Sequence, residues 1–104
     1  MTRIVSKKLR DSARGQSCTL RIPGICNYDP ETTVLAHLPC GQKGVGMKGP
    51  DMIAVFACSA CHDRLDARTS SAPAVTGADM LRALAETQLI WFRDGLLTVK
   101  GAAA

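Results

Sequence analysis

The chain is poor in features that mark several large protein classes. Aromatic residues are only 4% of its 104 residues (Trp91, Phe56, Phe92 and Tyr28), so its core lacks the bulkiest fillers. No apolar run approaches the ~18 or more residues of a membrane span, so no membrane partner is expected. The opening MTRIVSKKLR carries charge with no apolar stretch after it, unlike a secretory signal, and a cytoplasmic protein is expected. No segment repeats. The glycine-rich stretch CGQKGVGMKGPD, residues 40–51, does not match G-x-x-x-x-G-K-[ST] and lacks its strand-loop-helix frame, which excludes a nucleotide-binding P-loop. Histidine is scarce too, with His37 and His62 the only two.

What remains suits one small α+β domain over residues 1–104. Apolar residues make up 46% of the chain and charged ones 21%, enough for a modest core and too balanced for wholesale disorder. The net charge of +4 is uneven. Residues 1–21 carry six basic side chains (Arg3, Lys7, Lys8, Arg10, Arg14, Arg21) against Asp11, whereas residues 62–104 carry five of each sign. A basic arm over residues 1–16 suits a polyanionic partner, because phosphates attract clustered Lys and Arg. A merely solubilising terminus has the same composition.

Five cysteines, an odd number, argue against a disulfide framework in a reducing compartment. Cys58-x-x-Cys61 has the spacing of half a tetrahedral zinc site, and Cys18 with Cys26 can supply the other half across the Pro23-Gly24 turn. Four thiolates would close the site and make it structural. A redox dithiol at Cys58 and Cys61 is the competing reading, but no βαβ pattern surrounds it. Cys40 is left as a loop thiol.

Along the chain, the text predicts a short extended stretch at 17–25, a polar loop at 27–33, and strands at Thr33–Leu38 and Met52–Ala57. A short helix follows Cys58, with Cys61 and His62 in its first turn. A small-residue linker leads to a helix from Thr76 to about Asp94, capped by Thr76 or Asp79 and ended by Gly95. Leu81, Leu84, Ala85 and Leu89 are expected on its buried face, and Leu96–Lys100 as a terminal strand. His37 ends an apolar strand before the glycine-lysine loop. His62 and Asp66 stand four apart on one helical face, a spacing that can bind a divalent cation or simply pair. A neutral histidine can act as general base towards water near pH 7. Together these are the parts of metal-assisted phosphodiester hydrolysis.

The ordered set Cys18, Cys26, Ala36-His37, Asp51, Cys58-x-x-Cys61-His62 resembles the HNH (His-Me finger, ββα-metal) endonucleases. More narrowly, ARGQSCTLRIPGICN, TTVLAHLP, GVGMKGPD and ACSACHDRLDAR resemble the YbcO-like small nucleases of lambdoid prophages, kin of the RecA-dependent Ref nuclease. The resemblance covers about residues 10–100. It implies a treble-clef-like ββα finger over 17–68, with the 76–94 helix added and Cys18, Cys26, Cys58 and Cys61 on structural Zn²⁺. It further implies His37 as general base and His62 as ligand of a catalytic Mg²⁺ or Mn²⁺. DNA would be the partner, held by the basic arm (Lys7, Lys8, Arg10, Arg14, Arg21) with Lys43 and Lys48; a recombinase filament is a further possible partner. The sequence departs from the superfamily at Ala36, where many members carry a metal-binding acid. Asp51, as a positioning or ligand carboxylate, and Asp66 are the candidates to replace it. A zinc-stabilised nucleic-acid-binding module without catalysis is the alternative function.

Overall fold

The two β-branched, apolar runs pair with each other. Strands β1 (Val34–His37) and β2 (Ala54–Ala57) form an antiparallel ladder in the register Val34↔Ala57, Leu35↔Phe56, Ala36↔Val55, His37↔Ala54. The structure is a computed structural model whose described residues are 4–39, 49–66 and 75–103. Successive side chains in a strand point to opposite faces. Accordingly Ala36, Val55 and Ala57 pack with Cys18, Cys58 and Cys61 in one cluster, while Phe56 and Leu35 pack with Leu9, Ala13 and Trp91 in another. All four residues of β2 are buried, because both faces of the hairpin are covered.

The basic arm is not a bare arm. Residues Lys7–Ser12 form helix α1, with the Ser6 hydroxyl accepting the Leu9 N–H at 3.2 Å as its cap. Six residues cannot hold a helix alone in water. Burial of Leu9 and Ala13 against the hairpin holds this one, leaving Lys7, Lys8 and Arg14 outward. Helix α2 (Ser59–Asp66) follows β2 directly, giving the expected ββα order. Helix α3 (Gly77–Arg93) starts on a reciprocal Thr76–Asp79 capping box.

Three expectations need correction. The buried stripe of α3 is Ala83, Thr87 and Trp91, flanked by Met80, Leu84 and Ile90; Leu81 and Leu89 are each 68% exposed and Ala85 is exposed. A hydrophobicity pattern passes over Thr87, yet its hydroxyl is paired with Thr19 Oγ1 at 2.9 Å and accepts the Phe56 N–H at 3.4 Å, which makes it an interior residue. Trp91 meets Phe56 edge to face at 5.9 Å and donates from Nε1 to Ser12 Oγ at 2.8 Å. Residues 96–100 form no strand: the Leu96 N–H returns to Trp91 O and the Gly95 N–H to Phe92 O, with Gly95 at φ 77°, a Schellman closure of α3. The 17–25 stretch is not extended throughout but closes in a knuckle, since the Ile25 and Cys26 N–H groups both turn back to Ile22 O and Arg21 takes φ 42°.

Candidate metal centre and histidine site

The knuckle brings Cys18 and Cys26 to the start of α2, where Cys58 and Cys61 wait. The four Sγ atoms lie within 4.8 Å of one another, with Cys26 and Cys58 sulfurs 3.8 Å apart. Four sulfurs each ~2.3 Å from one zinc ion stand ~3.8 Å apart, the edge of the tetrahedron, so the donor set fits such an ion. Backbone N–H groups are already aimed at the sulfurs: Arg21 at Cys18 (3.4 Å), Asn27 at Cys58 (3.5 Å) and Cys61 at Cys58 (3.4 Å). Arg21 reaches its sulfur from φ 42°, a left-handed conformation that a long side chain seldom adopts. Burial pushes the Cys26 and Cys61 thiols up. Burial acts on Cys58 in the same direction, but its N–H donors prevail and hold it at about 7. Such a cluster could hold a metal ion such as zinc, which would favour the deprotonated form of every sulfur.

A clamp invisible in the sequence steadies this knuckle. Arg82 of α3 donates to Thr19 O (2.7 Å) and Leu20 O (2.6 Å), and Arg21 pairs with Glu86 at 2.7 Å. Arg21 is therefore engaged within the fold, although the sequence placed it among the nucleic-acid contacts.

On the other face of the hairpin stands a second constellation. His37 follows Ala36 in β1, so the strand alternation turns it from the cysteines towards α1. Its Nε2 lies 2.7 Å from Asp51 Oδ1, and Asp51 Oδ2 accepts the Ser6 N–H (2.6 Å) and Arg10 Nε–H (2.9 Å). The Asp51 side chain is 1% exposed and that of His37 9%. Burial alone would push the Asp51 carboxyl up; His37, the Ser6 N–H and Arg10 outweigh it and hold the group below the ordinary 3.8. An ionised Asp51 only accepts hydrogen bonds, so it assigns the proton of neutral His37 to Nε2 and leaves the Nδ1 lone pair available as a base. His37 borders a cleft of about 250 Å³ between α1 and β1, whose walls include Arg10, Arg14 and Thr33.

His62 Nε2 and Asp66 Oδ2 pair at 3.1 Å along one face of α2, with side chains 38% and 65% exposed. His37 and His62 share no side-chain partner among the described residues. The residue before His37, Ala36, is fully buried under the hairpin and offers no ligand. Among the described residues the cysteine set is the one cluster of three or more metal-ligating side chains. Lys43, Lys48 and Cys40 lie outside the described residues. Arg10, expected on nucleic acid, spends its Nε on Asp51, a role no local sequence signal announces across 41 residues.

The family profile described as "Putative nuclease YbcO" matches residues 7–96. The chain is 50% identical over 91 residues to "Putative nuclease YbcO" of Escherichia coli (strain K12), covering 86% of this chain and 95% of that protein. The same figures hold for "Putative nuclease ybcO" of Enterobacteria phage 82. Among solved structures, "Structure of a putative bacteriophage protein from Escherichia coli str. K-12 substr. MG1655" is similar with TM-score 0.69 and 45% identity, over 85% of this chain and all of that one.

Proposed function

Because the chain belongs to the family described as "Putative nuclease YbcO", we propose that it is a DNA endonuclease of the HNH, ββα-metal type with a structural zinc site. The observation that carries this reading is the buried Asp51 carboxylate 2.7 Å from His37 Nε2, which prepares a histidine base at the edge of an arginine-walled cleft. His37 Nδ1 takes a proton from water as the water oxygen attacks phosphorus, and the opposite P–O bond breaks, its oxygen leaving with the bonding pair and taking a proton from solvent. Asp51 stabilises the imidazolium formed and holds the ring in place. Cys18, Cys26, Cys58 and Cys61 hold zinc. His62 with Asp66 would hold a Mg²⁺ or Mn²⁺ ion, which neutralises charge on the phosphate and the departing oxygen when bound. Lys7, Lys8 and Arg14 project from α1 to meet the DNA backbone, with Lys43 and Lys48 in the same role. The recombinase filament implied by kinship with the Ref nuclease has no surface assigned to it.

The burial of Ala36 where a metal-binding acid is usual favours a second reading, a zinc-stabilised DNA-binding module without catalysis. Cleavage of supercoiled and single-stranded DNA by zinc-loaded protein, with and without Mg²⁺ or Mn²⁺, separates the two. His37→Ala is expected to lower the rate by ~10²-fold or more. His62→Ala should also abolish the response to added Mg²⁺, with stability changed by no more than about 0.5 kcal/mol. Cutting retained in His37→Ala removes the general base; DNA binding with no cutting in any condition leaves the module.

A further inference from the structure

The outward face of α3 is unlike that of a solvated helix, which carries the charges. Gly77, Ala78, Leu81, Ala85 and Leu89 are all exposed and none is polar, with Leu81 and Leu89 each 68% exposed. The charged side chains of α3 stand elsewhere. Asp79 caps its start, and along one flank Arg82 pairs with Glu86 at 3.3 Å and Arg93 with Asp94 at 2.9 Å. Beside the other flank opens an apolar groove of about 460 Å³, walled by Ala85, Leu89, Phe92, Leu97 and Val99, and Val99 is itself 59% exposed. A single exposed leucine is ordinary, but a contiguous apolar face marks an interaction surface. The buried stripe of α3, Ala83, Thr87 and Trp91, lies on the opposite side, so a partner on the outer face does not compete with the hairpin.

Charge and shape select what covers this face. Nucleic acid does not, since the stripe offers no cation to a phosphate. Along the ridge at spacing four, small and large residues alternate: Gly77, Leu81, Ala85, Leu89. A Cβ placed on Gly77 would meet nothing within 4 Å, so that position is an open hole. When two copies of this ridge run antiparallel about a two-fold axis beside residue 83, every leucine meets a small residue. Leu81 meets the partner's Ala85, and Leu89 the partner's Gly77. Leu81 then stands at the mouth of the partner's groove, which Ala85 helps to wall. The same axis brings Arg82 within a turn of the partner's Glu86, so the flanking charges attract across the seam. A contact of this isologous kind closes at two copies. With 17 residues α3 is ~25 Å long, so the seam and the groove walls bury on the order of 1,000 Å² over both copies, the lower limit for a specific interface. That area suits a dimer that forms at micromolar concentration.

We propose that the outer face of α3 is a self-association surface through which two copies of this chain pair antiparallel, the leucines of each filling the small-residue positions and the groove mouth of the other. The proposal is independent of the nuclease reading, because neither the cysteines nor His37 takes part in the seam.

Sedimentation equilibrium of zinc-loaded full-length protein, freed of nucleic acid and measured from about 1 to about 500 μM, tests it. Wild type is expected to pass from monomer to dimer with a dissociation constant on the order of 10–100 μM. Leu81→Glu and Leu89→Glu should each weaken dimerisation about ten-fold or more, because each sets a carboxylate in an apolar seam. Both side chains are exposed in the single chain, so Tm at a dilution where wild type is monomeric should move by no more than about 4 °C. The register has its own test. Mixing Leu81→Asp with Ala85→Lys sets opposite charges against each other across the two-fold axis, and the mixed dimer should exceed either variant's own dimer about five-fold or more. Wild type that stays monomeric throughout the range overturns the proposal. A dimer that survives both Leu81→Glu and Leu89→Glu forms through another surface and overturns it as well. A mixture no more dimeric than its components overturns the antiparallel pairing.

Discussion

Replacing Asp51 by asparagine asks whether this carboxylate sets the protonation geometry of His37. The amide nearly matches the carboxylate in shape but can accept with only one of its two ends. Oδ2 of Asp51 accepts two donors, the Ser6 N–H at 2.6 Å and Arg10 Nε at 2.9 Å. The asparagine oxygen therefore takes that place, and its NH₂ faces His37 Nε2 across the position now held at 2.7 Å. An NH₂ only donates, so His37 must turn its Nε2 lone pair inward and carry its proton on Nδ1. The base is then blocked towards the cleft. Cleavage at neutral pH should fall by ~10²–10⁴-fold, the usual contribution of a positioned general base. Stability should fall less severely. All three hydrogen bonds persist but lose the negative charge of their acceptor, worth about 2 kcal/mol in total, or ~8–16 °C in Tm for a domain of this size. The pH dependence has a definite sign. The folded Asp51 carboxyl lies below its ordinary 3.8, so its contribution is fully present above that value and is lost as pH falls through the lower folded one. The part of the gap between wild type and Asp51→Asn that comes from the carboxylate's own titration should accordingly stay constant at neutral pH and close only in acid. Nitrogen-15 NMR of the His37 ring reads the tautomer directly. A variant that keeps the Nε2 proton and cuts DNA at the wild-type rate would refute the reasoning.

Two further outcomes follow from the cysteine cluster and its clamp. Metal analysis should find one zinc per chain, and stripping it with a strong chelator should abolish the cooperative thermal transition. Structural zinc contributes ~10–16 kcal/mol in small domains, as much as a typical domain's whole stability of ~5–15 kcal/mol; an unchanged Tm in the stripped chain would sink the structural role. Arg82→Ala leaves Thr19 O and Leu20 O without their donors. Water reaches a side chain 38% exposed, so the cost should be only about 1–2 kcal/mol, but zinc should be lost to the chelator faster than from wild type. Equal zinc-loss rates would show that the clamp does not steady the knuckle.

Local chemistry made much of this architecture legible in advance. The β-branched runs read as strands because branched side chains suit a pleated surface. Thr76 and Asp79 read as a helix start because their side chains cap orphan N–H groups of their own first turn. Cys58-x-x-Cys61 read as half a metal site because two ligands three residues apart converge without help from the rest of the chain. Where a partner lay far along the chain, the text failed. Thr87 reads as polar and is buried, because Thr19, 68 residues away, answers its hydroxyl. Leu81 and Leu89 read as core and are exposed, because Trp91 and Thr87 decide which way α3 faces.

The candidate site divides along the same line. The candidate ligand types, their spacing along the chain and the order of the two strands and the helix after them could be read from the text, since each is written in residue types and short spacings. The long-range folding of the chain was needed to show that Asp51 lies against His37 and that Arg10 and Ser6 of the basic arm hold that carboxylate. The reason is geometric. A charged or polar group is assigned its work by whatever lies within about 3 Å of it, and for these residues that neighbour comes from another element, brought there by burial of apolar faces that carry no chemistry themselves.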